Sequence, residues 1–214
     1  YLSVVQEMTR AGYGDAALEL SELSLLAQNV GDIEKDLADK FLISADAAWK
    51  YGGNIENLRD ILDGFNGLTN KTTTDFKDLA DGISLAGSTF AQAGLSAKDY
   101  AGIIGTATNK TQESGSEMAR VWRTILMNIG QIEGTNSETG EVIDEDNLIK
   151  AETTLNDIGI SIREIIDGQN ELRNPMDIIS ELAEKWKNLS SIQQTAIQEA
   201  LAGRLLPERI EMCA

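Results

Sequence analysis

Apolar residues return at every third or fourth position along most of this chain, and only two prolines, Pro175 and Pro207, interrupt its 214 residues. That period stacks side chains along one face of an α-helix, and it constrains the fold more than any other feature. From Ala16 the stripe reads Leu20, Leu23, Ala27 and Val30, widened by Leu18, Leu25 and Leu26, with Asp15 as the expected N-cap. Asp32 is expected to cap a second helix with Ile33, Leu37, Phe41, Ala45 and Ala48 inward. It should stop near Trp49, ahead of Gly52 and Gly53. Asn54 then opens a short helix with Ile55, Leu58, Leu62 and Phe65 inward, closed by Gly64 and Gly67. After Thr72 to Thr74, the run Phe76, Leu79, Ile83, Phe90 predicts another. Ser96 with Asp99 and Ser114 with Glu117 read as capping boxes for two more, carrying Tyr100, Ile104 and Ala107, then Met118, Trp122, Ile125 and Ile129.

The pattern breaks between Ile132 and Asn147, where six acids and two glycines occur without a base. This stretch is expected to be a loop or subdomain boundary. A helix around Leu148 to Ile158 follows. Gly159-Ile160-Ser161-Ile162 then alternates, Asp167-Gly168 is a tight-turn pair, and Glu171-Leu172-Arg173 can return as a second strand. A small β-hairpin near 160–173 fits, with a helix continuing through Gly159 as its rival. Asn174-Pro175 starts a helix with Ile178, Ile179, Leu182, Trp186 and Leu189 inward. Ser190 with Gln193 caps the last one, which ends at Gly203. The fold class is therefore all-α, a compact bundle of short amphipathic helices with room for that one hairpin. Phe41, Trp49, Trp122, Leu182 and Trp186 are its expected core anchors.

Composition removes whole classes of chemistry. The chain has no histidine, which takes away the usual neutral-pH base and the commonest metal ligand. Its single cysteine, Cys213, cannot build a disulfide framework or a thiolate metal site. A net charge of −17 opposes contact with phosphate backbones and anionic membranes. The longest uncharged run, Gly82 to Ala97, is too short and too polar for the ~20 apolar residues of a membrane span. The chain begins at Tyr1 rather than methionine, as expected of a soluble piece of something longer.

Two motifs invite a sharper reading. Gly12-Tyr13-Gly14-Asp15-Ala16-Ala17 matches the dinucleotide pattern G-x-G-x-x-A, yet a helix end precedes it where a strand is required. It reads as a glycine turn between helices. Asp144-Glu145-Asp146-Asn147 resembles the start of a calcium loop, but the sixth and twelfth positions are Ile149 and Leu155. No residue is assigned to catalysis, to a cofactor or to a metal, and no carboxylate pair stands out. The chain is read as non-enzymatic.

Three ordered blocks carry a resemblance. The first runs from Arg10 to Ala17 and on to Ala27-Gln28-Asn29-Val30-Gly31-Asp32. The second is Leu79 to Ile129, with the turn Ala93-Gly94-Leu95-Ser96 and the helix Ser116 to Ile125. The third joins Asp177-Ile178-Ile179 to Glu181-Leu182-Ala183-Glu184-Lys185-Trp186 and Glu199-Ala200-Leu201-Ala202-Gly203-Arg204. Together they resemble the core region of tail tape measure proteins of long-tailed phages. Two departures stand beside this: Pro207 breaks the ending, and the long helical remainder of a tape measure is missing.

The resemblance implies a virion protein of the tail lumen, present in the host cytoplasm during assembly. It would set tail length, take part in tail assembly and leave ahead of the DNA at ejection. Implied partners are the tube, tail chaperone and tip proteins, with self-association left open and no specific nucleic-acid binding. The expected parts are an N-terminal helical part at 1–131, the acidic loop at 132–147, a C-terminal helical part at 148–204 and an atypical tail at 205–214. A non-viral, all-helical interaction module is the alternative.

Overall fold

A computed structural model describes residues 2–72, 74–132, 134–135 and 142–203. The expected tail at 205–214 and the middle of the acidic stretch lie outside these residues. Ten α-helices are found among those described: α1 (Leu2–Arg10), α2 (Ala17–Gly31), α3 (Lys35–Trp49), α4 (Ile55–Thr69), α5 (Phe76–Gln92), α6 (Ala97–Thr111), α7 (Gly115–Ile129), α8 (Glu145–Asp157), α9 (Pro175–Trp186) and α10 (Ser191–Ala202). Two short antiparallel strand pairs accompany them: β1 (Gly134–Thr135) with β2 (Val142–Ile143), and β3 (Arg163–Ile166) with β4 (Gln169–Leu172). The fold is all-α with a small hairpin, as the periodicity implies. The chain divides into two compact units, Tyr1–Arg120 and Val121–Ala214, the division falling inside α7.

Several starts follow from side chains that satisfy helix N–H groups locally. Asn54 accepts from Asn57 N–H at 3.0 Å. Ser96 and Asp99 close a reciprocal capping box, as do Ser190 and Gln193. Asn174 accepts from Met176 N–H at 2.8 Å, with Pro175 at the first helical position. Ser114 Oγ accepts from Glu117 N–H at 3.3 Å.

Other boundaries differ from the sequence reading. Asp15 does not cap α2; a 3-10 turn, Gly14–Ala16, leads into the helix, and Ala16 occupies the cap position. Asp32 ends α2 in left-handed backbone instead of starting α3, which follows Glu34. Gly64 and Gly67 do not close α4, which runs through both to Thr69. A helix accommodates glycine at about 1 kcal/mol relative to alanine, so packing of Leu58, Ile61, Leu62 and Phe65 carries it past them. α8 begins at Glu145, not near Leu148, because Asp144 and Asn147 form a capping box. Glu145 and Asp146 then lie in its first turn, where the helix dipole favours acids.

In the first unit, α3 packs against α5 and α2, α5 and α4 against α6, and α1 against α2. An aromatic cluster fills the centre. Phe41 lies 5.3 Å from Phe65 and 5.4 Å from Phe76, and Tyr100 lies 5.9 Å from Phe65 and 5.1 Å from Phe90. The Tyr100 hydroxyl donates to the Leu79 carbonyl at 2.9 Å, so the buried ring leaves no orphaned donor. Gly82 and Gly115 let α5 and the start of α7 touch: a Cβ on Gly115 would lie 2.0 Å from the Asp78 carbonyl oxygen. Asp78 Oδ1 meanwhile accepts from Gly115 N–H at 2.8 Å.

In the second unit, α8 packs on α10. Met127, Ile143 and Leu148 form a buried cluster with Ile132 against it. Asn128 Nδ2 donates to the Leu201 carbonyl at 2.9 Å, and Lys185 Nζ donates to the Gly159 carbonyl at 2.8 Å.

Candidate functional site

The glycine-rich turn is a structural joint. Helix α1 precedes it, Gly12 takes φ 98°, and the Tyr13 hydroxyl donates to Asp46 Oδ2 at 2.9 Å. Asp46 Oδ1 accepts from Gly53 N–H at 2.8 Å, so one buried carboxylate ties two loops together. Burial, then the bond to Asp46, holds the Tyr13 phenol well above its ordinary range, so it stays a donor. At Asp144, where a calcium loop would begin, the side-chain oxygen accepts from Asn147 N–H at 3.2 Å.

Of the five anchors, Phe41 is fully enclosed and Trp122, Trp186 and Leu182 are buried. Trp49 is half-buried; its indole N–H donates to the Leu95 carbonyl at 2.9 Å and its ring meets Tyr100 edge-on at 6.4 Å.

Sequence reasoning missed a buried polar cluster on α3. Asp39 accepts from Ser24 Oγ at 2.5 Å and from Lys35 Nζ at 2.8 Å, and Lys35 reaches Glu7 on α1 at 2.6 Å. The signal was available: Asp39 and Asp46 sit among Ala38, Leu42 and Ala45 on the apolar face of α3. A carboxylate at such a position needs partners. Here they fasten α1 to α2 and α3.

The ion pairs set a pH dependence. Hydrogen bonding and charge from Lys35 hold the Glu7 carboxyl below its ordinary 4.5. Burial pushes Glu181 up, but bonds from Arg173 and Lys185 outweigh it and leave that carboxyl lowered as well. Lowered carboxylates contribute stability that is present above 4.5 and lost as pH falls through their folded values. The urea midpoint is therefore expected to fall below about pH 4.5, and a Glu7→Gln/Glu181→Gln chain should show a shallower fall.

Two surfaces offer themselves to partners. In the first unit an apolar slot of about 280 Å³ is lined by Gly64, Phe65 and Leu68 of α4 and by Ala101 and Gly102 of α6. In the second, the β3–β4 hairpin presents Ile165 at 80% exposure, with Ile166 and Leu172 also exposed. Asp167 and Gly168 turn it, both with positive φ. Arginines fix its base: Arg163 pairs with Glu152 of α8 at 2.9 Å, and Arg173 with Glu181 of α9 at 3.0 Å. Ile160 and Ile162, expected as the first strand, are instead the buried lead-in.

No helix among the described residues is long and apolar enough to cross a membrane. No solved structure matches the chain. The sequence pattern of the family described as phage-related minor tail protein matches residues 1–203, almost the whole length. A packed helical scaffold whose polar groups are engaged in holding helices together suits the structural role and virion location that this family brings. The chain belongs to the phage-related minor tail protein family, a structural component of the phage tail.

Proposed function

We propose that this chain is the core region of a tail tape measure protein, lying in the tail lumen, setting tail length and leaving ahead of the DNA. The observation that carries this reading is the order of the resembling blocks within the family match over residues 1–203. The Leu79–Ile129 block falls on α5, α6 and α7, and the last block falls on α9 and α10. In this reading 1–131 and 148–204 are the two helical parts of the core on either side of the acidic stretch 132–147. Its partners in this reading are the tube, chaperone and tip proteins, met in the host cytoplasm during assembly, with self-association left open. An acidic surface at net −17 favours passage beside DNA over adhesion to it.

Length gives the test a scale. A helix rises about 1.5 Å per residue, so all 214 residues wound as one rod would span about 320 Å. Removing Asp15 to Ile129 in frame from the phage genome is expected to shorten virion tails by up to about 170 Å, read by electron microscopy. Tails of unchanged length would remove this region from the ruler.

A further inference from the structure

The hairpin has two unlike edges. On β3, the Ser161 hydroxyl donates to the Arg163 carbonyl at 2.8 Å and accepts from the Arg163 N–H at 3.1 Å. The outward peptide groups of Arg163 are thereby satisfied, which leaves Ile165 as the one open position on that edge. On β4 the ladder leaves groups facing outward. Arg173 N–H donates to the Ile162 carbonyl at 3.0 Å, while Glu171 stands opposite Glu164 and Gln169 opposite Ile166. Bonded and open pairs alternate in an antiparallel ladder, so 162–173, 164–171 and 166–169 are the bonded ones. Asn170 and Leu172 therefore turn their N–H and C=O away from β3, and all four residues of β4 are exposed.

The side chains on either side of that edge differ in kind. Leu172 and Ile165 lie on one face of the hairpin with Asn170 and Arg163, and Glu164 and Glu171 on the other with Gln169 and Ile166. Two glutamates directly opposite each other repel. The nearest bases in sequence do not offset them, because Arg163 and Arg173 are held by Glu152 and Glu181.

We infer that the β4 edge accepts an extended segment of another protein as a third strand, and that this segment alternates apolar with basic residues. Strand addition would satisfy the peptide groups of Asn170 and Leu172. Alternation would seat apolar side chains over Leu172 and Ile165 and ammonium or guanidinium groups beside Glu171 and Glu164. A second copy is the wrong occupant, since it would bring another carboxylate-bearing edge from a chain of net charge −17. The inference rests on the hairpin alone and stands apart from the tape-measure reading.

The test uses the 214-residue chain and a capped octapeptide alternating valine and lysine, with a blockwise peptide of the same composition as control. Calorimetry is expected to show the alternating peptide binding at least about tenfold more tightly than the blockwise one. Asn170→Pro removes an outward N–H that the ladder does not use, so the hairpin stands while binding falls about tenfold or more. Glu164→Gln/Glu171→Gln, which leaves the edge intact, should weaken binding and flatten its salt dependence. Equal binding of the two peptides, or undiminished binding to both variants, overturns the inference. So does a dimer of the free chain that Asn170→Pro dissolves, which would make a second copy the occupant.

Discussion

A Phe41→Ala chain is expected to lose about 3–5 kcal/mol of folding free energy, the range for emptying an aromatic site in a packed core. Phe41 has no solvent exposure and meets Phe65 and Phe76 at ring-centre distances of 5.3 and 5.4 Å. Its removal opens a cavity where α3 meets α4 and α5; of its two neighbours, Phe65 stacks on Tyr100, which in turn meets Phe90 edge-on. Phe41→Leu separates volume from ring geometry and should lose less, keeping most of the apolar contact while giving up ring pairings worth about 0.5–1.5 kcal/mol each. Denaturant titration checks both. An alanine variant with an unchanged midpoint would put the centre of the first unit elsewhere.

The second unit has its own test. Trp186→Ala and Trp122→Ala are each expected to cost about 3–5 kcal/mol, because both indoles are only 6% exposed. Trp186 closes α9 with Leu182 one turn before it on the same buried face, and its carbonyl accepts from Gln194 Nε2 at 3.0 Å. That helix also supplies Lys185 and Glu181, which grip the end of α8 and the base of the hairpin. Loosening Trp186 should therefore broaden hairpin amide signals as well as lower the midpoint. Ile192→Ala, at an 81% exposed position on α10, is the control expected to change neither. Near-native melting of both tryptophan variants would show the core to be misplaced.

Features encoded within a few residues were legible in the sequence. Asn54, Ser96 with Asp99, Ser190 with Gln193 and Asn174-Pro175 announce helix starts because their side chains bond backbone three residues away or less. Asp167-Gly168 announces the hairpin because both residues tolerate positive φ. What failed was whatever depends on distant chain. Asp15 and Asp32 have the composition of caps, but the 3-10 turn and the left-handed α2 end place them elsewhere. The Ile160 and Ile162 alternation was real, yet it marks a buried lead-in, and the strand itself begins at Arg163. The partners of Asp39 and Asp46 could not be named without the fold, though their place on an apolar stripe could have flagged them. The β4 edge was invisible, since which peptide groups face outward follows from register.

Asp32, Lys50 and Gln112 close α2, α3 and α6 with φ of 47°, 56° and 62°. An L-residue costs about 1–2 kcal/mol in that conformation, a strain that packing of the helices on either side has to offset. No proline stands in the Asp32–Glu34 or Gln112–Ser114 joints, whereas the joint after Lys50 carries Gly52-Gly53, which favour no helical continuation. When tertiary contacts let go, the first two are expected to rewind into continuous rod: far-UV ellipticity should hold while the hydrodynamic radius grows in mild denaturant. Ellipticity that falls in step with the growth in radius would overturn this. Release of these two corners alone would lengthen the first unit with little change in helix content.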